Sequence, residues 1–148
     1  MKLLVIFILF TLLSCACATA VPQPKVGDDV IYMFDEYHFY EAKLLSLDGN
    51  KAKLLYDGKN IEKDLAEIYS IPKAGDKPAV KVGDFVAARY GKLPTWPTAK
   101  VKEIKDAKIT VEWNTGSNDT MEVAPENVIA VSPSAAANIK EAAAKKGR

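Results

Sequence analysis

The sequence predicts an all-β fold of two small five-stranded barrels in tandem, followed by a short C-terminal helix. Three observations indicate this fold: an internal repeat, short apolar runs separated by turn residues, and an alanine-rich tail. A chain of 148 residues makes one ordinary domain or two very small ones. Short strands that recur every 8–12 residues or so are typical of a small barrel or sandwich.

The first twenty residues are set apart from this fold because they have the pattern of an export signal. Lys2 precedes an apolar run of roughly 11 residues, too short to span a bilayer stably. Small residues follow and end in Ala18-Thr19-Ala20. The tetrapeptide Leu12-Leu13-Ser14-Cys15 resembles the bacterial lipobox, and this resemblance implies that Cys15 is acylated and becomes the mature N-terminus.

Two interpretations of residues 1–20 follow. Acylation of Cys15 gives an envelope lipoprotein of the outer membrane or periplasm, because several acyl chains anchor a protein durably. Cleavage after Ala20 instead releases a soluble secreted protein, and we prefer the lipid-anchored form. Both cysteines, Cys15 and Cys17, lie in this segment, so we predict a folded part without disulfides.

The charge and histidine content favour a binding module over an enzyme. The chain has 20 Lys and Arg against 19 Asp and Glu, and a net charge near zero gives no long-range field to attract nucleic acid. His38 is the only histidine, so a catalytic triad or a His-rich metal site would depend on one residue. We therefore predict no enzymatic activity, no cofactor and no metal site.

The internal repeat has a period of 56 residues. Its first copy opens with Lys25-Val26-Gly27-Asp28-Asp29-Val30 and its second with Lys81-Val82-Gly83-Asp84-Phe85-Val86. Three later segments align in the same order: 41–44 with 98–101, 53–56 with 110–113, and 68–72 with 129–133. Matches in a common order indicate duplication. We predict a first barrel at 25–72, a linker at 73–80 and a second barrel at 81–133.

Alternation of side chains defines the strands within each copy. In the first strand Val30, Tyr32 and Phe34 share one face, whereas Ile31 and Met33 share the other. The remaining strands of the first copy are predicted at 39–47, 52–56, 60–64 and 68–71. Those of the second copy are predicted at 84–89, 99–104, 108–113, 119–123 and 128–131. Asp28 and Asp84 stand at strand starts, where we expect them to cap the Val-Gly-Asp turns.

The linker is too short to separate the barrels widely, and a disulfide-free barrel of about 50 residues has a marginal core. We therefore expect the two barrels to pack side by side. Residues 134–148 are predicted to form a helix, with Ser134 as its N-cap and Gly147 at its end. Because Ile139 is its only sizeable apolar residue, we expect this helix to be frayed and solvated.

The repeated segments resemble Tudor and agenet domains, which are SH3-like barrels. The resemblance covers residues 25–133 and rests on Val-Gly-Asp-x-Val followed by an aromatic residue, on an aromatic-x-Ala-Lys segment, and on a strand that ends in an aromatic residue before a turn. It implies aromatic residues that cage a methylated lysine or arginine, since ring faces attract a diffuse cation. The matching positions are Phe34, Tyr40 and Tyr56 in the first copy, and Tyr90, Trp113 and Trp96 (one place out of register) in the second.

The charge of the first copy suggests the nature of the partner. Residues 25–67 carry ten acidic side chains against six lysines, whereas residues 81–133 carry seven of each sign. The leading hypothesis is a non-enzymatic exported module that binds a basic peptide, a protein or a wall component through aromatic loop residues. Trp96, beside Pro97, is expected in an exposed loop. The alternative is a structural or assembly subunit of the envelope, which burial of Trp96 and Trp113 would favour.

Overall fold

The computed structural model describes residues 23–114 and 119–146, which form antiparallel strands followed by one helix. The strands of the first half are β1 (Asp29–Met33), β2 (His38–Asp48), β3 (Lys51–Tyr56), β4 (Lys59–Asp64) and β5 (Ile68–Ser70). Those of the second half are β6 (Phe85–Ala88), β7 (Thr95–Lys105), β8 (Lys108–Trp113), β9 (Thr120–Val123) and β10 (Val128–Ala130). Helix α1 spans Pro133–Lys146. The predicted all-β class with a short C-terminal helix is confirmed, whereas the predicted export segment lies outside the described residues.

The two halves repeat the same pairing order and the same opening turn. The order is β5-β1-β2-β3-β4 in the first half and β10-β6-β7-β8-β9 in the second. In each opening turn the glycine has a φ of 96°, a left-handed value that favours glycine. The aspartate carboxylate accepts a hydrogen bond from the lysine backbone N–H, at 2.8 Å for Asp28 and 3.0 Å for Asp84. The capping role predicted for these aspartates is confirmed.

The linker contains a third turn of the same kind. Asp76 accepts a hydrogen bond from the backbone N–H of Lys73 at 2.8 Å, and Gly75 has a φ of 90°. The sequence repeat aligns residue 68 with residue 129, but the strands of the structure align residue 68 with residue 128, one place earlier. The buried second residues of β5 and β10, Tyr69 and Ile129, occupy matching positions.

The halves pack against each other, as expected, but they are joined in one sheet, and the predicted closed barrels are not confirmed. Among the described strands, no pairing joins β4 to β5 or β9 to β10, so neither half closes on itself through hydrogen bonds. Instead β2 pairs with β7, with Phe39 opposite Trp96. These two residues occupy matching positions in the repeat, so the register is that of a local two-fold axis between the halves. Two backbone hydrogen bonds that flank this pairing obey the same symmetry: Thr98 N–H donates to Tyr37 O at 2.8 Å, and Glu41 N–H donates to Pro94 O at 3.2 Å.

Side chains of β1 divide between two apolar cores, as the alternation predicts. Val30 and Tyr32 pack in a core of the first half, whereas Ile31 and Met33 pack in a core that both halves share. We call the latter the shared core. It consists of Ile31, Met33, Phe39 and Tyr69 from the first half, Ala87, Trp96 and Ile129 from the second, and Ala135 and Ile139 from α1. The second half also has a core of its own.

Helix α1 is docked on the sheet, so the expectation of a solvated helix is wrong. Ala135, Ile139 and Ala142 are all buried, because alanine lets the helix approach the sheet closely. The helix begins after Ser132, whose Oγ accepts a hydrogen bond from the backbone N–H of Ala135 at 3.3 Å; this replaces the predicted Ser134 cap. In the part of the chain that the structure describes, no helix is long and apolar enough to cross a membrane.

Replacement of Ile139 by alanine tests this docking. Ile139 is fully buried, and truncation of a buried isoleucine to alanine lowers the free energy of unfolding by about 2–5 kcal/mol. Lys140→Ala, at the exposed neighbouring position, is the control and should change it by less than about 0.5 kcal/mol. Urea unfolding measures both values. Equal stabilities of the two variants would mean that the helix is not docked.

Candidate functional site

Four aromatic side chains of the first half form one contiguous group, which we call the aromatic cluster: Tyr32, Phe34, Tyr40 and Tyr56. Ring centroids are 5.0 Å apart for Phe34 and Tyr40, 5.5 Å for Tyr40 and Tyr56, and 5.6 Å for Tyr32 and Tyr56. These separations are those of favourable aromatic pairs. The structure thus brings together the three residues named for the first copy and adds Tyr32. The sequence does indicate Tyr32, because the alternation of side chains places it on the same face of the first strand as Phe34.

The aromatic cluster has a buried base and an exposed rim. Tyr32 is only 2% exposed, and the rings of Tyr40 and Tyr56 are half-buried. Phe34 is 56% exposed, just beyond the end of β1. An exposed phenylalanine ring next to half-buried tyrosines is an apolar surface that a ligand can cover.

Asp35 holds the loop that presents Phe34. Its Oδ1 atom accepts hydrogen bonds from the backbone N–H groups of Tyr37 at 2.7 Å and His38 at 2.8 Å. The His38 Nδ1 atom lies 3.1 Å from the same oxygen. The His38 ring in turn lies nearly parallel to that of Tyr40, at 11° and a centroid distance of 6.4 Å. The loop between β1 and β2 is therefore tied to the cluster by a carboxylate and an imidazole.

Lys63 of β4 places a positive charge beside the cluster. Its Nζ atom lies 5.5 Å from the centroid of the Tyr32 ring and donates a hydrogen bond to the Met33 carbonyl oxygen at 2.9 Å. The position depends on the pairing of β3 with β4, which sets Lys63 opposite Ala52. Nothing in the local sequence distinguishes Lys63 from the other lysines, so the sequence alone does not predict its place beside the cluster.

A cavity of about 340 Å³ adjoins the cluster, between the β1–β2 loop and helix α1. Phe34 and Lys63 line it, and so do four carboxylate side chains: Asp35, Glu36, Glu67 and Glu141. The Glu141 carboxylate pairs with Lys145 at 2.8 Å, which lowers the pKa of Glu141. In the ranges 23–114 and 119–146 no group of three or more His, Cys, Asp or Glu residues is arranged to hold a metal ion.

The second half has a smaller aromatic group. Tyr90 and Trp113 are in contact, with ring centroids 5.5 Å apart and an interplanar angle of 70°. Ala88 and Pro97 occupy the positions that correspond to Tyr32 and Tyr40. Tyr90 is exposed, but Trp113 is only 7% exposed. The two copies therefore differ, and only the first forms a group of four rings.

Trp96 lies in β7 and is completely buried, so its expected position in an exposed loop is wrong. Its Nε1–H donates to Glu41 Oε1 at 3.0 Å, and Arg89 Nη2 donates to the same oxygen at 2.7 Å. The Arg89 guanidinium also lies 5.4 Å from the centroid of the indole. Pro97 suggested a loop, but a strand accepts proline where no N–H is needed. A fully buried ring presents no face to a ligand.

Burial raises the pKa of Tyr32 to about 12, with smaller contributions from Tyr56 and Tyr40. An unfolded tyrosine loses its proton near pH 10. The folded state therefore holds this proton more tightly, and the resulting stabilisation is complete below pH 10 and is lost between about pH 10 and pH 12.

A comparison with Tyr32→Phe tests this dependence. The wild-type free energy of unfolding should fall more steeply between pH 10 and pH 12 than that of the variant, by up to about 1.4 kcal/mol per pH unit. Urea unfolding at a series of alkaline pH values measures both curves. Parallel curves would contradict a raised pKa at Tyr32.

Comparison with known proteins yields structural similarities only. No protein-family model matches the chain, and neither does any curated protein. Tandem Agenet domains 3–4 of ADCP1 match with a TM-score of 0.41 and 20% identity, over 72% of this chain and 79% of that one. The AGD34 region of Arabidopsis thaliana AGDP1 matches with a TM-score of 0.43 and 19% identity, over 72% of this chain and 81% of that one. The extended Tudor domain TD3 of mouse TDRD1 matches with a TM-score of 0.35 and 16% identity, over 79% of this chain and 58% of that one. At these scores no neighbour transfers its family or its ligand to this chain.

Proposed function

We propose that the chain is a non-enzymatic binding module whose aromatic cluster receives a cationic side chain of a peptide or protein. The observation that carries this proposal is the rim of the cluster. Phe34, 56% exposed, packs at 5.0 Å on Tyr40, and Tyr56 lies 5.5 Å further on. Faces of aromatic rings attract cations, above all those that are weakly hydrated. The arrangement offers several such faces within reach of one ligand group.

The charge around the cluster supports a basic partner. The first half has four more acidic than basic side chains, since ten carboxylates stand against six lysines between residues 25 and 67. Three of these carboxylates, Asp35, Glu36 and Glu67, line the cavity next to Phe34. A surface of one charge sign accelerates the encounter with a partner of the opposite sign and helps to select it.

A titration with a defined peptide tests this proposal. The probe is a glycine-flanked peptide with one trimethyllysine, and the matched control peptide has norleucine at that position. Binding followed by NMR should shift resonances of the aromatic cluster only with the first peptide. Tyr40→Ala should weaken binding by about 10-fold, because it removes the central ring. Tyr90→Ala, in the second half, should leave binding unchanged.

The electrostatic part of the proposal has its own test. Glu36→Gln and Glu67→Gln remove two negative charges without changing side-chain shape, and together they should weaken binding more at low salt than at high salt. If Tyr40→Ala weakens binding as predicted but the double variant does not, the electrostatic part of the proposal is refuted. Recognition then depends on the aromatic rings alone. Equal binding of wild type and Tyr40→Ala would refute the proposed site.

A structural or assembly role is the second candidate. The burial of both tryptophans, at 0% exposed for Trp96 and 7% for Trp113, favours this role for the second half. Under this alternative the aromatic cluster also serves packing alone. In that case the trimethyllysine peptide would cause no shifts in the aromatic cluster.

We also propose that the chain is exported and lipid-anchored at Cys15, on the basis of residues 1–20, which lie outside the described part of the structure. Mass spectrometry of the mature N-terminus, after expression in a bacterium that processes lipoproteins, should find a diacylglyceryl group on Cys15. Cys15→Ala should abolish the modification. A mature chain that begins at Val21 without lipid would refute the anchor.

A further inference from the structure

A lysine of the chain itself already lies on one ring of the aromatic cluster. The Lys63 ammonium lies 5.5 Å from the centroid of the Tyr32 ring, within the range of a cation–π contact. A hydrogen bond to the Met33 carbonyl oxygen, 2.9 Å long, fixes it there. Tyr32 is 2% exposed and belongs to the core of the first half, against which Tyr40 and Tyr56 also pack. Lys63 thus covers the innermost ring of the cluster.

We infer that Lys63 is an internal competitor for the ligand cation and thereby lowers the affinity of the aromatic cluster for cations. The inference rests on the proposed function and names the residue that limits affinity at the same site. A cation bound at the exposed rim lies close to the Lys63 ammonium, and the two positive charges repel each other. Binding is therefore strongest when the Lys63 ammonium moves away from the cluster. Neighbouring ring centroids in the cluster are only 5.0–6.4 Å apart.

The cavity beside the cluster can receive the displaced ammonium. Lys63 lines this cavity together with Glu67, which lies in the short turn after β4. Among the described side chains, Glu67 forms no ion pair, whereas Asp35 is engaged with the loop and Glu141 with Lys145. The flexible four-carbon stem of lysine allows its ammonium to move from a ring face to a nearby carboxylate. The chain therefore contains both an occupant of the cluster and a carboxylate that can accept it.

The competition sets a threshold of affinity. A ligand cation binds the cluster only as far as its own interaction with the rings exceeds that of Lys63. A quaternary ammonium or a guanidinium loses less hydration than a primary ammonium when it enters the cluster, so it exceeds this threshold more readily. The ligand class that follows is a peptide with a methylated lysine or an arginine.

Titrations with two simple cations test the inference. Tetramethylammonium and methylammonium chloride are added to the full-length wild type, to Lys63→Met and to the control Lys53→Met, an exposed lysine of the adjacent strand β3. Lys63→Met should bind both cations about 2- to 30-fold more tightly, the range of one cation–π contact. Its preference for tetramethylammonium over methylammonium should stay unchanged, because a common competitor lowers both affinities by the same factor. Lys53→Met should behave as the wild type does.

A second measurement uses the wild-type chain, so its result does not depend on whether a variant folds correctly. The ε-methylene protons of Lys63 should be shifted upfield by the Tyr32 ring in NMR spectra and should return toward ordinary values when tetramethylammonium binds. Binding without this return, or equal affinities of Lys63→Met and Lys53→Met, would overturn the inference but leave the proposed function standing. Failure of tetramethylammonium to bind any of the three proteins would overturn both.

Discussion

Burial of Trp96 in the shared core is the constraint on which the rest of the structure depends. The indole lies opposite Phe39, on the strand pair that joins the halves, and α1 packs over the same core through Ile139. The polar edge of the indole is satisfied as well, since Glu41 accepts hydrogen bonds from both Trp96 and Arg89. A half of about 50 residues has only a marginal core of its own. The shared core adds buried apolar surface to both halves.

The two halves share one strand order but differ in their side chains. The local two-fold axis places matching residues, Phe39 and Trp96, against each other, and both are apolar and buried. Away from this axis the copies are free to differ. The first copy has Tyr32 and Tyr40 where the second has Ala88 and Pro97. The first half thus forms a cluster of four rings with an exposed rim, whereas the second half has only the contact between Tyr90 and Trp113 among its described residues.

Local signals in the sequence predicted local structure well. The turns with Asp28 and Asp84, the alternation in β1 and the class of the fold all depend on neighbouring residues, and the structure has them as predicted. The pairing of β2 with β7 joins residues more than fifty positions apart and has no local signal. The contact between Lys63 and the Tyr32 ring also has no local signal in the sequence. The docking of helix α1 also has no local signal, because it depends on the small residues Ala135 and Ala142, which are buried beside Ile139.

Acrylamide quenching of tryptophan fluorescence in the Trp113→Phe variant tests the central claim most directly, because Trp96 is then the only fluorescent indole. Its complete burial predicts a quenching constant several-fold lower in the folded protein than in the same protein unfolded in urea. Equal quenching of the folded and unfolded forms would place Trp96 at the surface. The shared core, and with it the joining of the two halves, would then be contradicted.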